Sequence, residues 1–469
     1  MLLLLGPAVL GQDTRHVLPL PDSLTVASIS LSGNKKTKAY VILREMDFRV
    51  GERFSSEELE GRLLQSRAQI NNTSLFGEFE LRDSLVATDQ LHLSLDVTER
   101  WYFFPAPVFE LADRNLNVWI DQFNADINRV NFGLNPTFYN FTGHKDDLEG
   151  IIQWGFTPKI ELDYRRPYVG KSENNGLGFF ASYSLNRQVP YITADNLERF
   201  EVFDDFTLRR FRASTRYFRR SGLYQYHTVE LKYNRHRISD SLASLNPAFF
   251  GSGRTEQDFF SIGYTWLYDR VDARAYPLHG RYTELSAEKV GLGLFGDMDQ
   301  WIILLRHNEY FELPAKFFAG VQVIGKTALA QEHPYFTIEG LGYCEELVRG
   351  YELYVIDGQH YGMVKTNLKH RLFGFSLANP LRSGKGFGRI PFDFYLKGYV
   401  DAGYVRDAVY EQGNALTNEW LLGYGLGVDM VTFYDWVFRF EYSFNRLGEN
   451  GLFLRWSLDL DTYENCPVW

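Results

Sequence analysis

From Trp101 onward the sequence repeats one pattern: a bulky apolar residue at every second position, with charged, small or hydroxylated residues between. Trp436, Phe438, Phe440, Tyr442 and Phe444 alternate with Val437, Arg439, Glu441 and Ser443. Leu452, Leu454, Trp456, Leu458 and Leu460 alternate with Phe453, Arg455, Ser457 and Asp459, and Phe260 to Tyr268 reads the same way. A period of two places successive side chains on opposite faces of a β-strand, so each segment has a greasy face and a polar face. Helical periodicity is almost absent here, and no run of about 18 apolar residues offers a membrane-crossing helix.

A soluble sandwich turns the greasy face inward and a barrel in lipid turns it outward, so one strand alone does not separate the two. The number of strands does better. About sixteen alternating segments follow one another, the first at Phe109 to Ile120 and the last at Leu452 to Leu460. Roughly 23 residues are then available per strand and connection, enough for a crossing strand of about 9–11 residues plus its turn. Connections alternate in length: Tyr434-Asp435 and Leu313 to Ala315 are tight, whereas Ser239 to Gln257, Leu329 to His360 and Arg406 to Glu419 are long. The expected fold is all-β, a transmembrane antiparallel β-barrel of about sixteen strands over residues 101–469.

Residues 24–100 read differently. A strand pattern, TVASISLSGN, ends at the turn signal Gly33-Asn34. Thr37 is placed to cap a helix from Lys38 to Met46, and Ser55 with Glu58 has capping-box spacing for a second helix from Ser56 to Gln69. Strand patterns follow at Glu78 to Arg82 and Leu91 to Val97, which makes a small α+β domain with a sheet edge able to accept a partner's strand. Ahead of it, residues 1–23 read as a signal remnant and linker: the apolar stretch Leu2 to Leu10 ends in the small Gly11, and Val9 and Gly11 fit the minus-three and minus-one positions of a cleavage site.

Composition excludes several function classes. The net charge of −10 gives no basis for neutralising phosphates, so no nucleic-acid partner is expected. Cys344 and Cys466 are the only cysteines, too far apart in sequence to announce a disulfide framework or a metal site, and they read as either a pair or two thiols. Gly291-x-Gly293-x-x-Gly296 matches a dinucleotide fingerprint formally, but no βαβ pattern surrounds it, so it reads as a flexible loop. Ten histidines form no HExxH, and no G-x-S-x-G occurs. No catalytic residue, metal or cofactor is expected, and the chain does not read as an enzyme.

The longest connection, between the eleventh and twelfth strands, carries Val348-Arg349-Gly350-Tyr351. Here the sequence resembles the BamA/TamA-like outer-membrane assembly-factor superfamily, which combines POTRA domains with a sixteen-stranded barrel and carries a VRGY or VRGF tetrapeptide in a sixth outer loop folded back into the lumen. The resemblance extends to Asp272, Arg274, Pro277 and Gly280 in DARAYPLHG, to the D-x-G of Asp401 and Gly403, and to Gly425 and Gly427 in the fourteenth strand. Alternation puts Asp401 on the lumen face with Lys397 and Tyr399, opposite Phe394, Leu396 and Val400. The resemblance implies that Arg349 pairs with Asp401, with Asp429 as the second candidate. In place of two adjacent glycines before VRG, this sequence separates Gly340 and Gly342 and inserts Glu345-Glu346, and DTYENCPVW continues beyond the last alternating strand.

The function implied is insertion or translocation of proteins at a bacterial outer membrane, with the POTRA-like domain in the periplasm. Its mechanism would use a weak lateral seam between first and last strands and strand addition at the POTRA edge. Implied partners are unfolded outer-membrane or secreted clients, periplasmic chaperones, accessory lipoproteins and the lipid bilayer. The alternative is a passive pore or surface-binding barrel of the same family without insertase activity.

Overall fold

The computed structural model describes residues 21–113, 116–169, 174–201, 205–295, 298–343, 346–378, 389–410, 413–432 and 436–456. The signal-like start, Cys344, Glu345, Gly296, Tyr434-Asp435, Cys466 and the tail beyond Trp456 lie outside the described residues.

The first unit comprises β1 (Ser23–Ser32), α1 (Ala39–Leu43), β2 (Arg53–Ser55), α2 (Leu59–Asn72), β3 (Phe76–Ala87) and β4 (Gln90–Glu99). Its sheet has the order β2-β1-β4-β3, with β1 and β4 parallel. Alternation in β4 sends Leu91, Leu93, Leu95 and Val97 into a core with Leu24, Val26, Ile42, Phe48 and Ile70. Neither expected cap forms. Lys38 occupies the N-cap of the short α1, and Thr37 instead bonds Tyr102 and Asn140, each at 2.9 Å. Ser55 makes no capping bond, and Ser56–Glu58 tightens into a 3-10 turn before α2. Both signals mark helix starts by residue type, but tertiary partners claim Thr37.

The second unit opens with β5 (Phe103–Leu111), α3 (Leu116–Phe123), β6 (Val130–Phe138), β7 (Asp147–Gly155), β8 (Lys159–Val169) and β9 (Asn175–Asn186). A small hairpin, β10 (Pro190–Ala194) and β11 (Leu197–Phe200), precedes β12 (Leu208–Ser221), β13 (Gln225–Ile238), α4 (Asp240–Leu245), β14 (Glu256–Val271) and β15 (Gly280–Val290). Then come β16 (Gln300–Leu313), β17 (Phe317–Ala330), β18 (His360–Ala378), β19 (Arg389–Arg406), β20 (Trp420–Thr432), β21 (Trp436–Asn445) and β22 (Asn450–Trp456).

Sixteen of these strands form one antiparallel sheet running without interruption from β22 to β5. Bulky side chains such as Trp154, Leu162, Trp420, Leu426 and Leu452 stand more than half exposed on its outer face, while Lys397, Asp401, Asp429 and Glu441 are buried inside. A single sheet with greasy side chains out and charges in is the reverse of a soluble sandwich. An exposed apolar belt of this extent is what lipid covers, so the fold is a transmembrane β-barrel preceded by an α+β domain.

One boundary corrects the sequence reading. Phe109 to Ile120 is not the first strand: β5 ends at Leu111, and Leu116–Phe123 is helix α3. Leu116, Trp119, Ile120 and Phe123 also fit a helical spacing of three and four, and in so short a window the two periods compete. Among the described residues, no ladder joins β5 to β22.

Candidate functional site

The connection from β17 to β18 leaves the far rim, opposite the small domain, and folds back into the barrel. An antiparallel bridge between Leu341 and Ile356 pins its two arms together. Leu341, Val348, Tyr351 and Ile356 are buried against Ile324, Met363, Val405 and Leu421 of the wall. Removing these side chains from water gives the loop an apolar reason to stay inside.

Arg349 stands at the loop's tip, and all five of its N–H donors are used. Nε donates to Asp401 Oδ2 at 2.7 Å and Nη2 to Asp401 Oδ1 at 2.6 Å. The second Nη2 hydrogen goes to the Thr366 carbonyl at 3.1 Å, while Nη1 serves Asn367 Oδ1 at 2.8 Å and Glu441 Oε1 at 3.3 Å. The guanidinium also lies 3.8 Å from the ring centre of Tyr399. A buried guanidinium is stable only when its desolvation is offset in this way, by a two-pronged carboxylate and full donor satisfaction.

Asp429 does not meet Arg349. It pairs with Lys397 at 2.8 Å and accepts from the Tyr276 hydroxyl at 2.8 Å. Lys397 joins the two halves, since its ammonium is also 2.8 Å from Glu441. Arg455 on β22 then contacts Glu441 at 3.4 Å and Glu352 of the loop at 2.6 Å, and Glu352 accepts from Gly350 N at 2.8 Å. Three cations and four carboxylates thus form one connected set on β19 to β22 and the loop.

Glycines let the backbone come this close. Gly350 adopts φ +96°, in the left-handed region. A Cβ at Gly423 would fall 1.7 Å from the Arg349 carbonyl oxygen, and one at Gly403 would fall 2.6 Å from Val348 Cγ2. Gly425 and Gly427 face similar crowding from Tyr442 and Phe440 carbonyls, at 2.2 and 2.8 Å. Gly423, which makes the closest approach to the loop, lies two residues before the pair the sequence singles out; the G-Y-G-L-G spacing is the signal that contains it.

DARAYPLHG forms the turn between β14 and β15 at the near rim. Asp272 Oδ1 accepts from Leu278 N at 3.0 Å and His279 N at 3.1 Å, and Arg274 pairs with Asp269 at 2.7 Å. Pro277 lies within the loop so closed, and Gly280 allows φ +101° where a Cβ would strike the Arg270 carbonyl. The effect is to push Tyr276 into the lumen, 5% exposed, onto Asp429 and beneath Lys369, whose Nζ lies 3.9 Å from its ring. Glu346, from the acidic insertion, has a counterpart as well: it pairs at 2.6 Å with Arg306, buried on β16.

The small domain is docked at the near rim. Arg220 at the end of β12 grips Glu45 with two bonds of 2.6 and 2.7 Å, and Tyr168 donates to the same carboxylate at 3.0 Å. Burial works against the charge on Glu45, but the Arg220 guanidinium outweighs it and holds the carboxyl at about 2. Lys38 N to the Gly143 carbonyl at 2.9 Å, Tyr40 with His144 at 2.6 Å and Asn72 to the Val271 carbonyl at 3.0 Å complete the contact.

These features define a class: a membrane barrel with its own far-rim loop folded inside against the wall, and an α+β domain fixed to its near rim. Residues 140–445 match the Omp85 superfamily domain, and residues 24–100 match POTRA, described as a surface antigen variable number repeat. The chain therefore belongs to the Omp85 superfamily, whose barrels work on protein clients in the bacterial outer membrane. It is similar to a crystal structure of BamA from Haemophilus ducreyi lacking POTRA domains 1-3, at 14% identity and TM-score 0.50, over 92% of this chain and 83% of that one. It is also similar to CdiB from Acinetobacter baumannii, at 12% identity and TM-score 0.48, over 93% of this chain and 73% of that one. At 14% identity the likeness to BamA speaks to fold alone. No curated protein matches the chain.

Proposed function

We propose that this barrel inserts or translocates client proteins at a bacterial outer membrane by opening between β5 and β22. The division into a periplasmic domain at 24–100 and a barrel at 101–469 is part of this reading. The observation that carries it is the end of the sheet: among the described residues, β5 and β22 are neighbours of β6 and β21 only. Strands left with an open edge accept another strand by backbone pairing. The outer edge of β3 in the small domain has the same property and is the second place for a client strand.

Arg349 in this reading holds the loop against the β19 to β22 wall, so that the wall stays rigid while its last strand takes up a client strand. Clients are unfolded outer-membrane or secreted proteins, delivered by periplasmic chaperones or accessory lipoproteins. No nucleotide or other cofactor enters, and no bond is made or broken, so the activity is not enzymatic. The second reading is a passive pore. It is favoured by a lumen cavity of about 350 Å³ lined by Arg212, Arg216, Glu230 and Lys232 on the wall away from the network.

Cysteine pairs placed between Phe103–Leu111 and Asn450–Trp456, oxidised in the folded protein, test the seam. We expect folding of an unfolded barrel client in vesicles to stop on oxidation and resume on reduction. Client folding at the same rate with the seam locked would contradict the proposal.

A further inference from the structure

β18 and β19 run on together past their neighbours at the near rim. The ladder between β17 and β18 stops at Phe317 with His370, whereas β18 continues to Ala378, paired there, among the described residues, with β19 alone. Every residue from Arg371 to Ala378 is exposed.

One irregularity decides the chemistry of this arm. Before it, Val364 and Leu368 of β18 face lipid, and Lys365, Asn367 and Lys369 are buried in the lumen. A β-bulge between Arg371 and Phe373 inserts one residue and reverses that parity. Phe373, Phe375 and Leu377 therefore continue the lipid side, opposite Phe394, Phe392 and Ile390. Without the bulge all three would point the other way. Their rings stack, with centres 4.9 Å apart for Phe373 and Phe394 and 5.4 Å for Phe375 and Phe392. The reverse face carries Gly374, Ser376 and an ion pair of 2.6 Å between Arg371 and Asp393.

We propose that this arm is an interfacial element, seated in the near-side leaflet with its phenylalanine face at the boundary between headgroups and acyl chains. Continuity names the occupant, because the apolar face is an unbroken extension of the barrel's lipid-covered belt. Length agrees. The stripe from Val364 to Leu377 covers fourteen residues of β18. At about 3.3 Å per residue and a tilt of roughly 40° it rises about 35 Å, somewhat more than a hydrocarbon core of about 30 Å. The last rings thus reach the headgroup boundary.

The test places single cysteines at Phe375 and at Ser376, on the two faces, after Cys344 and Cys466 are replaced by serine. Each variant is nitroxide-labelled and folded into vesicles of phosphatidylethanolamine and phosphatidylglycerol, with heat-modifiable gel mobility confirming the barrel. The expected result is an oxygen-to-nickel-chelate accessibility ratio several-fold higher at 375 than at 376, with a label at Leu377 following 375. Equal access of the chelate to both faces would put the arm in water and overturn the proposal. Shielding of position 375 from both reagents would also overturn it, because protein, such as a strand added to the open edge, would then cover that face in place of lipid.

Discussion

Arg349 and Arg220 are both buried arginines facing a carboxylate, at opposite ends of the same barrel. Arg220 serves one acidic residue across a domain boundary, Glu45, which accepts from Tyr168 as well. Arg349 is one member of a set in which Asp401, Glu441, Lys397, Asp429, Arg455 and Glu352 share partners. The pair can be exchanged as a unit. The network exchanges less cleanly, because Arg349 also serves Glu441, Asn367 and the Thr366 carbonyl, and replacing it together with Asp401 takes a donor from all three.

The largest effect is expected for Arg349→Ala, which takes the guanidinium from Asp401 and one of three cations from Glu441. Breaking a buried pair costs about 3–5 kcal/mol, and it should appear as protease cleavage within residues 331–359 that the parent protein resists. Arg220→Met should cost about as much in docking of the small domain, read by hydrogen exchange at the α1 amides. Adding Glu45→Leu to Arg220→Met should restore most of the docking, short of the bond that Tyr168 loses, whereas adding Asp401→Leu to Arg349→Met should restore much less of the loop's protection. Equal rescue at both ends would break the distinction.

Smaller effects test the geometry. Gly423→Ala pushes a methyl group into the Arg349 carbonyl and should loosen the loop by about 1–3 kcal/mol, the usual range for overpacking, with the same proteolysis as readout. Tyr276→Phe removes one hydrogen bond to a carboxylate and should cost about 1.5 kcal/mol, seen as a small fall in the denaturation midpoint. Acid separates the two ends as well. Glu45 is held at about 2 in place of 4.5, so its contribution to docking is complete above pH 4.5 and is lost as pH falls toward 2. Hydrogen exchange at α1 should rise across that window; no change would argue that Arg220 does not hold Glu45.

The barrel was legible because lipid on one side and water on the other force strict alternation, and Trp436 to Phe444 shows it without a break. Asp401 could be placed on the lumen face by parity alone. Arg349 could be singled out only through its tetrapeptide and loop, and its pairing came from resemblance. What stayed hidden depends on contacts far apart in sequence. Glu45 and Arg220 are 175 positions apart and meet only once two units dock. Lys397 and Glu441 look like any other inward charges until the ladders set them side by side. Helix α3 was lost to a strand because eight residues satisfy both periods, and the bulge at Arg371 leaves no mark in a pattern that is apolar on both sides of it.

The central claim is that the Arg349 network is part of a protein-assembling machine. The most direct measurement adds the folded protein to vesicles with an unfolded outer-membrane barrel client and compares client folding rates for the parent and Arg349→Ala at equal amounts of folded barrel. We expect acceleration by the parent and its loss in the variant. No acceleration by either, with vesicles that leak ions, would contradict it and leave a pore.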